Sequence, residues 1–225
     1  MEEIRSAKKH FNQPFLELAD DNTFLNHDWS REFLKQLTRE DIHWFTETDI
    51  SIADDPELCD LVAESGCRQL LIGLESPSQS DLNNIDPSNW KQRQSDHYLR
   101  AIDTLQSRGI SVNGCFILGL DHHTPAIFEE VHKFVEQSGL AEVQFTVMTP
   151  FPSSPLHQRL KDEGRLLRER YWDRCTLFDV NYQPANMTVE ELEEGLKWIF
   201  TNTYNETSTR TRQRSFISQR RGDSC

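Results

Sequence analysis

Four short apolar runs recur along this chain, each closing in a polar or glycine-bearing turn: Phe15-Leu-Glu-Leu-Ala-Asp-Asp-Asn22, Arg68-Gln-Leu-Leu-Ile-Gly-Leu-Glu-Ser76, Ser111-Val-Asn-Gly-Cys-Phe-Ile-Leu-Gly-Leu-Asp121 and Glu142-Val-Gln-Phe-Thr-Val-Met-Thr-Pro150. A weaker fifth run, His43-Trp-Phe-Thr-Glu-Thr-Asp-Ile50, lies between the first two. Strand starts near 15, 43, 69, 111 and 143 leave room for βα units, which need roughly 30 residues each. Strands alternating with helices specify a parallel sheet or barrel, and in such folds the chemistry sits at the C-terminal ends of the strands. Here those ends carry Asp20, Asp21, Asn22, Asp49, Glu75, Ser76 and Asp121. The chain opens at Met1 in a helix-like segment with no strand ahead of it, so the rhythm reads as an enzyme core whose first strand is missing.

The helices are signposted by their caps. Asp55 before Pro56 suits a cap and first helical position, with Leu58, Leu61 and Val62 on one face and Gly66 as the stop. A second helix is predicted from near Trp90, with Tyr98, Ala101, Ile102 and Leu105 on its apolar face, ending at Gly109. Thr124-Pro125 opens a third, carrying Ile127, Val131, Phe134 and Val135 up to Gly139. Thr188-Val-Glu-Glu191 is a capping box that starts a long last helix with Leu192, Leu196, Ile199 and Phe200 facing inward. Two more helices are expected at 28–40 and 155–166. The stretch 77–89 reads as irregular, while 168–187 is too apolar for a free linker and is expected to fold back over the barrel. The resulting fold class is α/β: an incomplete (β/α)6 TIM-like barrel of parallel strands with outer helices over 1–167, a C-terminal helical extension packed on it over 168–205, and a flexible basic tail over 206–225.

Composition excludes several function classes. The net charge is −13, and the five arginines beyond residue 205 against Glu206 and Asp223 leave about −16 on the body. Such a body repels polyanions, so no nucleic-acid surface is expected. No apolar stretch approaches the roughly 18 residues that span a bilayer, and the N-terminus lacks a signal-peptide layout. The expectation is a cytoplasmic protein without a membrane span. Cys59, Cys67, Cys115, Cys175 and Cys225 form no CxxC or CxxxC pair, which removes a local zinc or iron–sulfur site and a disulfide scaffold.

Among the strand-end groups, Glu75 follows the buried run Leu70-Leu-Ile-Gly-Leu74 and is placed at the mouth of the sheet. A carboxylate there can accept hydrogen bonds from an amino group or sugar hydroxyls, or serve as an ordinary strand end paired with Arg68 or Arg100. Asp20-Asp21-Asn22 supports either ligand binding or an Asx-turn into the next helix. Gly114 and Gly119 bracket Cys115-Phe-Ile-Leu118, which fits either a flat ligand or close helix–sheet packing. Asp121-His122-His123 invites a metal reading, but adjacent side chains in an extended chain diverge, and a turn into the Thr124-Pro125 cap explains the triple. Thr149-Pro-Phe-Pro-Ser-Ser-Pro155 fixes a loop over the mouth.

Taken together, Phe15…Asp20-Asp-Asn22, Gly73-Leu-Glu-Ser76, Gly109-Ile…Gly114-Cys-Phe-Ile-Leu-Gly119, Thr149-Pro-Phe-Pro152 with Leu156 and Arg159-Leu160, and the stretch Tyr171-Trp…Phe178-Asp-Val-Asn…Met187-Thr…Glu191-Leu resemble the radical S-adenosylmethionine (SAM) superfamily, in particular its cobalamin-binding-domain-containing subgroup. The resemblance spans about residues 1–200. It implies a partial barrel holding SAM across its C-terminal mouth, a [4Fe–4S] cluster that binds SAM, 5′-deoxyadenosyl radical chemistry, and methyl transfer in cobalamin-dependent members. Carried over by position, Asp20, Asp21 and Asn22 meet the methionine amino end of SAM. Glu75 and Ser76 contact the ribose or the amino acid moiety. Gly114, Gly119 and Leu120 lie on the strand near adenosine, and Met148 and Thr149 line the adenine side.

The departures are as specific. The family's CxxxCxxC loop and its first strand are absent, as is an N-terminal cobalamin domain, and Asp121 is only a stand-in for the acid that follows the glycine-bearing strand. The expectation is therefore the C-terminal part of such an enzyme, acting on a small-molecule substrate, with cluster and cobalamin supplied by a missing N-terminal part or a separate partner chain. Alone it is expected to be marginally soluble and unable to cleave SAM. Two other readings stay open: a metal-dependent hydrolase or aldolase using Asp20, Asp49, Glu75, Asp121 and His122, and a non-catalytic remnant or split subunit.

Overall fold

Side-chain caps start two helices where the sequence places them, at Asp55 and Thr188, whereas the helix expected to open at Thr124-Pro125 begins at Ile127 after Ala126 with no side-chain cap. In the computed structural model, which describes residues 1–77 and 97–221, the Asp55 carboxylate accepts from the Leu58 N–H at 3.0 Å, and Pro56 takes the first helical position. Thr188 and Glu191 form the reciprocal capping box, at 3.0 and 2.7 Å. Asn26 and Ser154 accept from Trp29 and His157 in the same manner. The element order is α1 (Glu2–His10), β1 (Phe15–Leu18), α2 (His27–Leu37), β2 (His43–Thr48), α3 (Pro56–Glu64), β3 (Cys67–Glu75), α4 (Tyr98–Gln106), β4 (Ser111–Leu118), α5 (Ile127–Ser138), β5 (Glu142–Val147), α6 (Pro155–Asp162), α7 (Val189–Thr203) and α8 (Glu206–Arg221). The expected helix start near Trp90 and most of the irregular stretch 77–89 lie outside the described residues.

All five strands pair in parallel and in chain order, β1-β2-β3-β4-β5. Right-handed crossovers between sequential parallel neighbours put every connecting helix on one side, the arrangement of an incomplete barrel rather than a doubly wound sheet. Burial alternates accordingly. Trp44, Leu70, Ile72, Leu74, Val112, Phe116, Leu118, Phe145 and Val147 are buried under the helices. On the opposite face Phe45, Glu47, Leu71, Gly73, Asn113, Cys115, Gln144 and Thr146 are only half-buried. The run Leu70–Leu74, read from the sequence as buried, is buried on one face only: Leu71 and Gly73 are half-buried on the other.

An aromatic spine locks sheet to helices. Phe116 meets Phe134 edge-on at 5.8 Å, Phe145 meets Phe200 edge-on at 5.5 Å, and Tyr98 meets Phe134 at 6.3 Å. Edge-to-face pairs at this spacing add to area burial. The indole N–H of fully buried Trp44 donates to the Ser65 carbonyl at 2.9 Å. At the start of the chain, Arg5 reaches Glu40 at 2.8 Å and ties α1 to the end of α2.

Residues 206–221 are not a flexible tail. They form α8, which packs across α4, α5 and α7. Arg212 is buried there and donates to the Thr203 carbonyl at 2.7 Å and to Ser208 at 2.9 Å. Gln219 joins Gln106 and Asp103. A charge count marks the segment as solvated because it cannot see that one arginine caps the last carbonyls of α7. No described helix is long and apolar enough to cross a membrane.

Asp55 also pairs with Arg31, and with His27 at 3.0 Å. Asp55→Ala is expected to lower stability by about 2 kcal/mol, a lost cap plus lost charge-assisted bonds. Asp55→Asn, which keeps the cap, should lose less than half of that. Urea-unfolding midpoints at constant slope check both.

Candidate functional site

The C-terminal ends of the strands form one rim, because adjacent parallel strands lie about 4.8 Å apart and all point the same way. β1 delivers Asp20 and Asp21, both exposed, and half-buried Asn22. Asn22 is committed to structure. Its backbone N–H donates to Asp20 Oδ1 at 3.0 Å, its amide N donates to Asp49 Oδ2 at 2.7 Å, and its amide O accepts from Thr48 at 3.1 Å. An Asx-turn is therefore present, but Asp20 makes it rather than Asp21 or Asn22, and Asn22 staples the ends of β1 and β2. Asp49 is further held by the Ser51 N–H at 2.8 Å and the Ser51 hydroxyl.

Glu75 is the most constrained residue on the rim. Its φ is +65°, and the Ser76 N–H bonds back to the Leu74 carbonyl at 2.8 Å across it. A three-residue turn with a left-handed centre is rare and strained for a side-chain-bearing residue. The register against β4 slips at this point, between Gly73 and Glu75. The Leu74 carbonyl takes a second bond, from the buried Tyr98 hydroxyl at 3.0 Å. Burial, then the charge of Glu75, holds the Tyr98 phenol above its ordinary range, so it stays a donor. Two donors on one carbonyl aim the Glu75 backbone at the rim, with Ser76 fully buried beside it. The sequence marked Glu75 and Ser76 but not Tyr98, whose place in a helical apolar stripe gave it only a core role.

Gly114 on β4 and Gly119 just after it are tightly packed. A Cβ on Gly114 would lie 2.8 Å from Leu140 and 3.0 Å from Leu74. A Cβ on Gly119, where φ is +84°, would lie 2.2 Å from the Tyr182 hydroxyl and 2.8 Å from Leu192. Of the two readings open for these glycines, close packing is the one these contacts illustrate: the space a Cβ would take is filled by protein side chains. Tyr182 donates to the Gly119 carbonyl at 2.5 Å, and burial keeps its phenol protonated. Beyond it, the Leu120 N–H and His123 Nδ1 are 3.3 Å apart. Met148 and Thr149 are buried after β5, with the Met148 N–H on the Leu118 carbonyl and the Thr149 hydroxyl on the Val147 carbonyl, both at 2.9 Å.

Asp121 is a clasp. Arg159 meets it at 2.5 Å and Arg165 at 2.9 Å, while Asn186 donates to its carbonyl at 2.7 Å. Partial burial pushes its carboxyl up, but hydrogen bonds and charge from the two arginines outweigh this and hold it below the usual range. The segment expected to fold back does so along this edge: Tyr171 donates to the Pro150 carbonyl at 2.6 Å, and the Val147 N–H reaches the Leu177 carbonyl at 2.7 Å.

The alternative metal reading needs Asp20, Asp49, Glu75, Asp121 and His122 to converge. Among the described residues no three His, Cys, Asp or Glu side chains form a group able to hold a metal ion. Strand spacing separates these groups along the rim, and Asp49 and Asp121 are spent on Asn22 and the arginines. Nor do the four described cysteines suit a cluster. Burial pushes the Cys59 thiol up to about 11 and the Cys67 thiol up to about 12, disfavouring the thiolates that ligate iron. Cys115 sits mid-strand and Cys175 in the returning segment.

A sequential parallel βα sheet with carboxylates on its C-terminal rim defines an incomplete barrel of the TIM type. A model of the radical SAM superfamily matches residues 1–135, and the chain belongs to that superfamily. A second model, a domain of unknown function (DUF4070), matches residues 154–224. The bacteriochlorophyllide d C-12(1)-methyltransferase of Chlorobaculum tepidum is 25% identical over 190 residues, covering 84% of this chain and 40% of that protein. The hopanoid C-2 methylase of Rhodopseudomonas palustris is 33% identical over 128 residues, covering 55% of this chain and 23% of that protein. In fold, the chain resembles the radical SAM methyltransferase TsrM from Kitasatospora setae, solved with tryptophan substrate and a SAM analogue (aza-SAM), with a TM-score of 0.63 and 15% identity over 92% of this chain and 40% of that one. The chain spans less than half the length of each of these proteins.

Gly119→Ala is expected to cost about 2–3 kcal/mol through left-handed strain and overpacking. Tyr182→Phe, which removes the clashing hydroxyl, should reduce that cost in the double variant, as a double-mutant cycle on unfolding free energy would read. Because the Asp121 carboxyl lies below its unfolded value, its stabilisation is present above the ordinary aspartate pKa and is lost as pH falls through the folded one. Asp121→Asn should therefore lower the melting temperature at pH 7 by the equivalent of about 1–2 kcal/mol. The gap to the parent chain should close as pH falls below about 4.

Proposed function

We propose that this chain supplies the SAM-binding part of a radical SAM enzyme that transfers a methyl group to a small molecule. Glu75, held by two bonds to the Leu74 carbonyl in a strained turn on the rim, is the observation that carries the reading. SAM is a cation at its sulfonium and amino groups and carries ribose hydroxyls, all of which favour carboxylate oxygens. The donor chemistry of the rim fits such a ligand. Asp20 and Asp21 would face its amino end, Glu75 with Ser76 the ribose or amino acid moiety, and Leu120, Met148 and Thr149 the adenosine. Asn22, Gly114 and Gly119 act behind these residues, as a staple and as packing positions.

In radical SAM enzymes the bound group supplies a 5′-deoxyadenosyl radical. The residues of this chain bind and orient, and its four described cysteines do not suit the [4Fe–4S] cluster, so cluster and cobalamin are assigned to no described residue. Methyl transfer is favoured among the family's reactions by the methyltransferases and methylase it is similar to.

Isothermal titration of the purified chain with S-adenosylhomocysteine should show saturable binding, weakened roughly tenfold (about 1.4 kcal/mol) by Glu75→Gln. Equal affinity of the two proteins would remove Glu75 from the site, and no binding would overturn the reading. The chain alone, supplied with iron, sulfide and reductant, should form no 5′-deoxyadenosine.

A further inference from the structure

α6 and the returning segment line a half-open cavity of about 620 Å³, within the size range of small-molecule sites. Its aromatic wall is preformed. Tyr171 is buried and anchored to the Pro150 carbonyl. Trp172 lies 5.0 Å from the Tyr171 ring and meets His157 edge-on at 5.8 Å, leaving its indole half-exposed toward the cavity it lines. Leu166 and Leu167 add apolar surface.

Three cations, Lys161, Arg168 and Arg170, complete the lining. Nearby arginines are paired: Arg159 and Arg165 with Asp121 and Glu163, and Arg174 with Asp179. The side chains of Lys161, Arg168 and Arg170 have no ion-pair or hydrogen-bond partner among the described residues, and one carboxylate, Glu169, shares the cavity with them. In a chain of net charge −13, where carboxylates outnumber cations, three cations unpaired among the described residues form, around an aromatic wall, a local positive site on an acidic body. Field lines from such a recess attract anions, and an indole face adds stacking to a flat ligand.

We propose that this cavity binds a small organic anion, its carboxylate or phosphate on Lys161, Arg168 and Arg170 and its flat or apolar body on Trp172 and Leu167. As an anchor for the methyl acceptor this rests on the function proposed above. As an anion site it stands by itself.

The test titrates the full chain with pyrenebutyrate and with pyrenebutanol, its uncharged analogue, followed by pyrene fluorescence at 0.05 M and 0.5 M NaCl. Pyrenebutyrate should bind saturably and at least tenfold tighter than the alcohol at low salt, with the preference shrinking at high salt. Lys161→Gln, Arg168→Gln and Arg170→Gln should each weaken it roughly two- to fivefold, as single exposed charges do. The triple variant should lose the preference, and Trp172→Ala should weaken both probes. Equal affinity for the two probes, or a preference that survives in the triple variant, overturns the proposal. S-adenosylhomocysteine titrated in parallel separates the two readings. If it binds and pyrenebutyrate does not, the cavity proposal falls and the SAM reading stands. If pyrenebutyrate alone binds as described, the anion site stands without the methyl-transfer reading.

Discussion

Parallel strands laid down in chain order force each connecting helix onto the same side of the sheet, because every crossover turns right-handed. In this molecule that leaves one face of the five strands under helices and the other half-open. The two faces have different chemistry for that reason. Leu70, Ile72, Leu74, Val112, Phe116 and Phe145 bury against the helices, while Glu47, Asn113 and Gln144 line the opposite face. Parallel alignment also collects the strand ends on one rim, so residues from Asp20 to Thr149 lie along the same edge although they are far apart in the chain.

The rim is held by hydrogen bonds to backbone carbonyls more than by contacts between its functional side chains. Tyr98 and the Ser76 N–H share the Leu74 carbonyl, Tyr182 takes the Gly119 carbonyl, and Tyr171 takes the Pro150 carbonyl. Each tyrosine is buried, and a buried phenol without a partner would forfeit a desolvation cost of about 1–3 kcal/mol. The three tyrosines therefore fix the geometry of the strand ends, and two of them bring the segment after α6 onto β4 and β5. The Asp121 clasp with Arg159 and Arg165 closes the same edge.

Much of the fold was legible in the sequence. Strand starts at 15, 43, 111 and 142 fall within a residue of the expected positions, because apolar runs ended by Asp, Glu, Asn or Gly report a buried strand leaving the core. The caps at Asp55 and Thr188 work as their residue types dictate. The site was legible only as positions. Glu75 and Asp20–Asn22 could be marked, but whether Asn22 binds a ligand or staples β1 to β2 depends on Asp49 and Thr48, on another strand. Gly114 and Gly119 read equally as ligand clearance or packing until Leu140, Tyr182 and Leu192 are seen to fill their space.

The sequence by itself determined the alternation of parallel strands and helices, the placement of carboxylates at the strand ends, and the resemblance that those residues carry. Periodicity and capping are local properties, written in neighbouring residues, so they survive without coordinates. Only the tertiary structure decided which strand-end groups are spent on one another, that residues 206–221 dock as a helix around a buried Arg212, and that Lys161, Arg168 and Arg170 find no counter-charge among the described residues. Those outcomes depend on side chains brought together from distant parts of the chain, and their pairing is a matter of distance and burial that no linear pattern records.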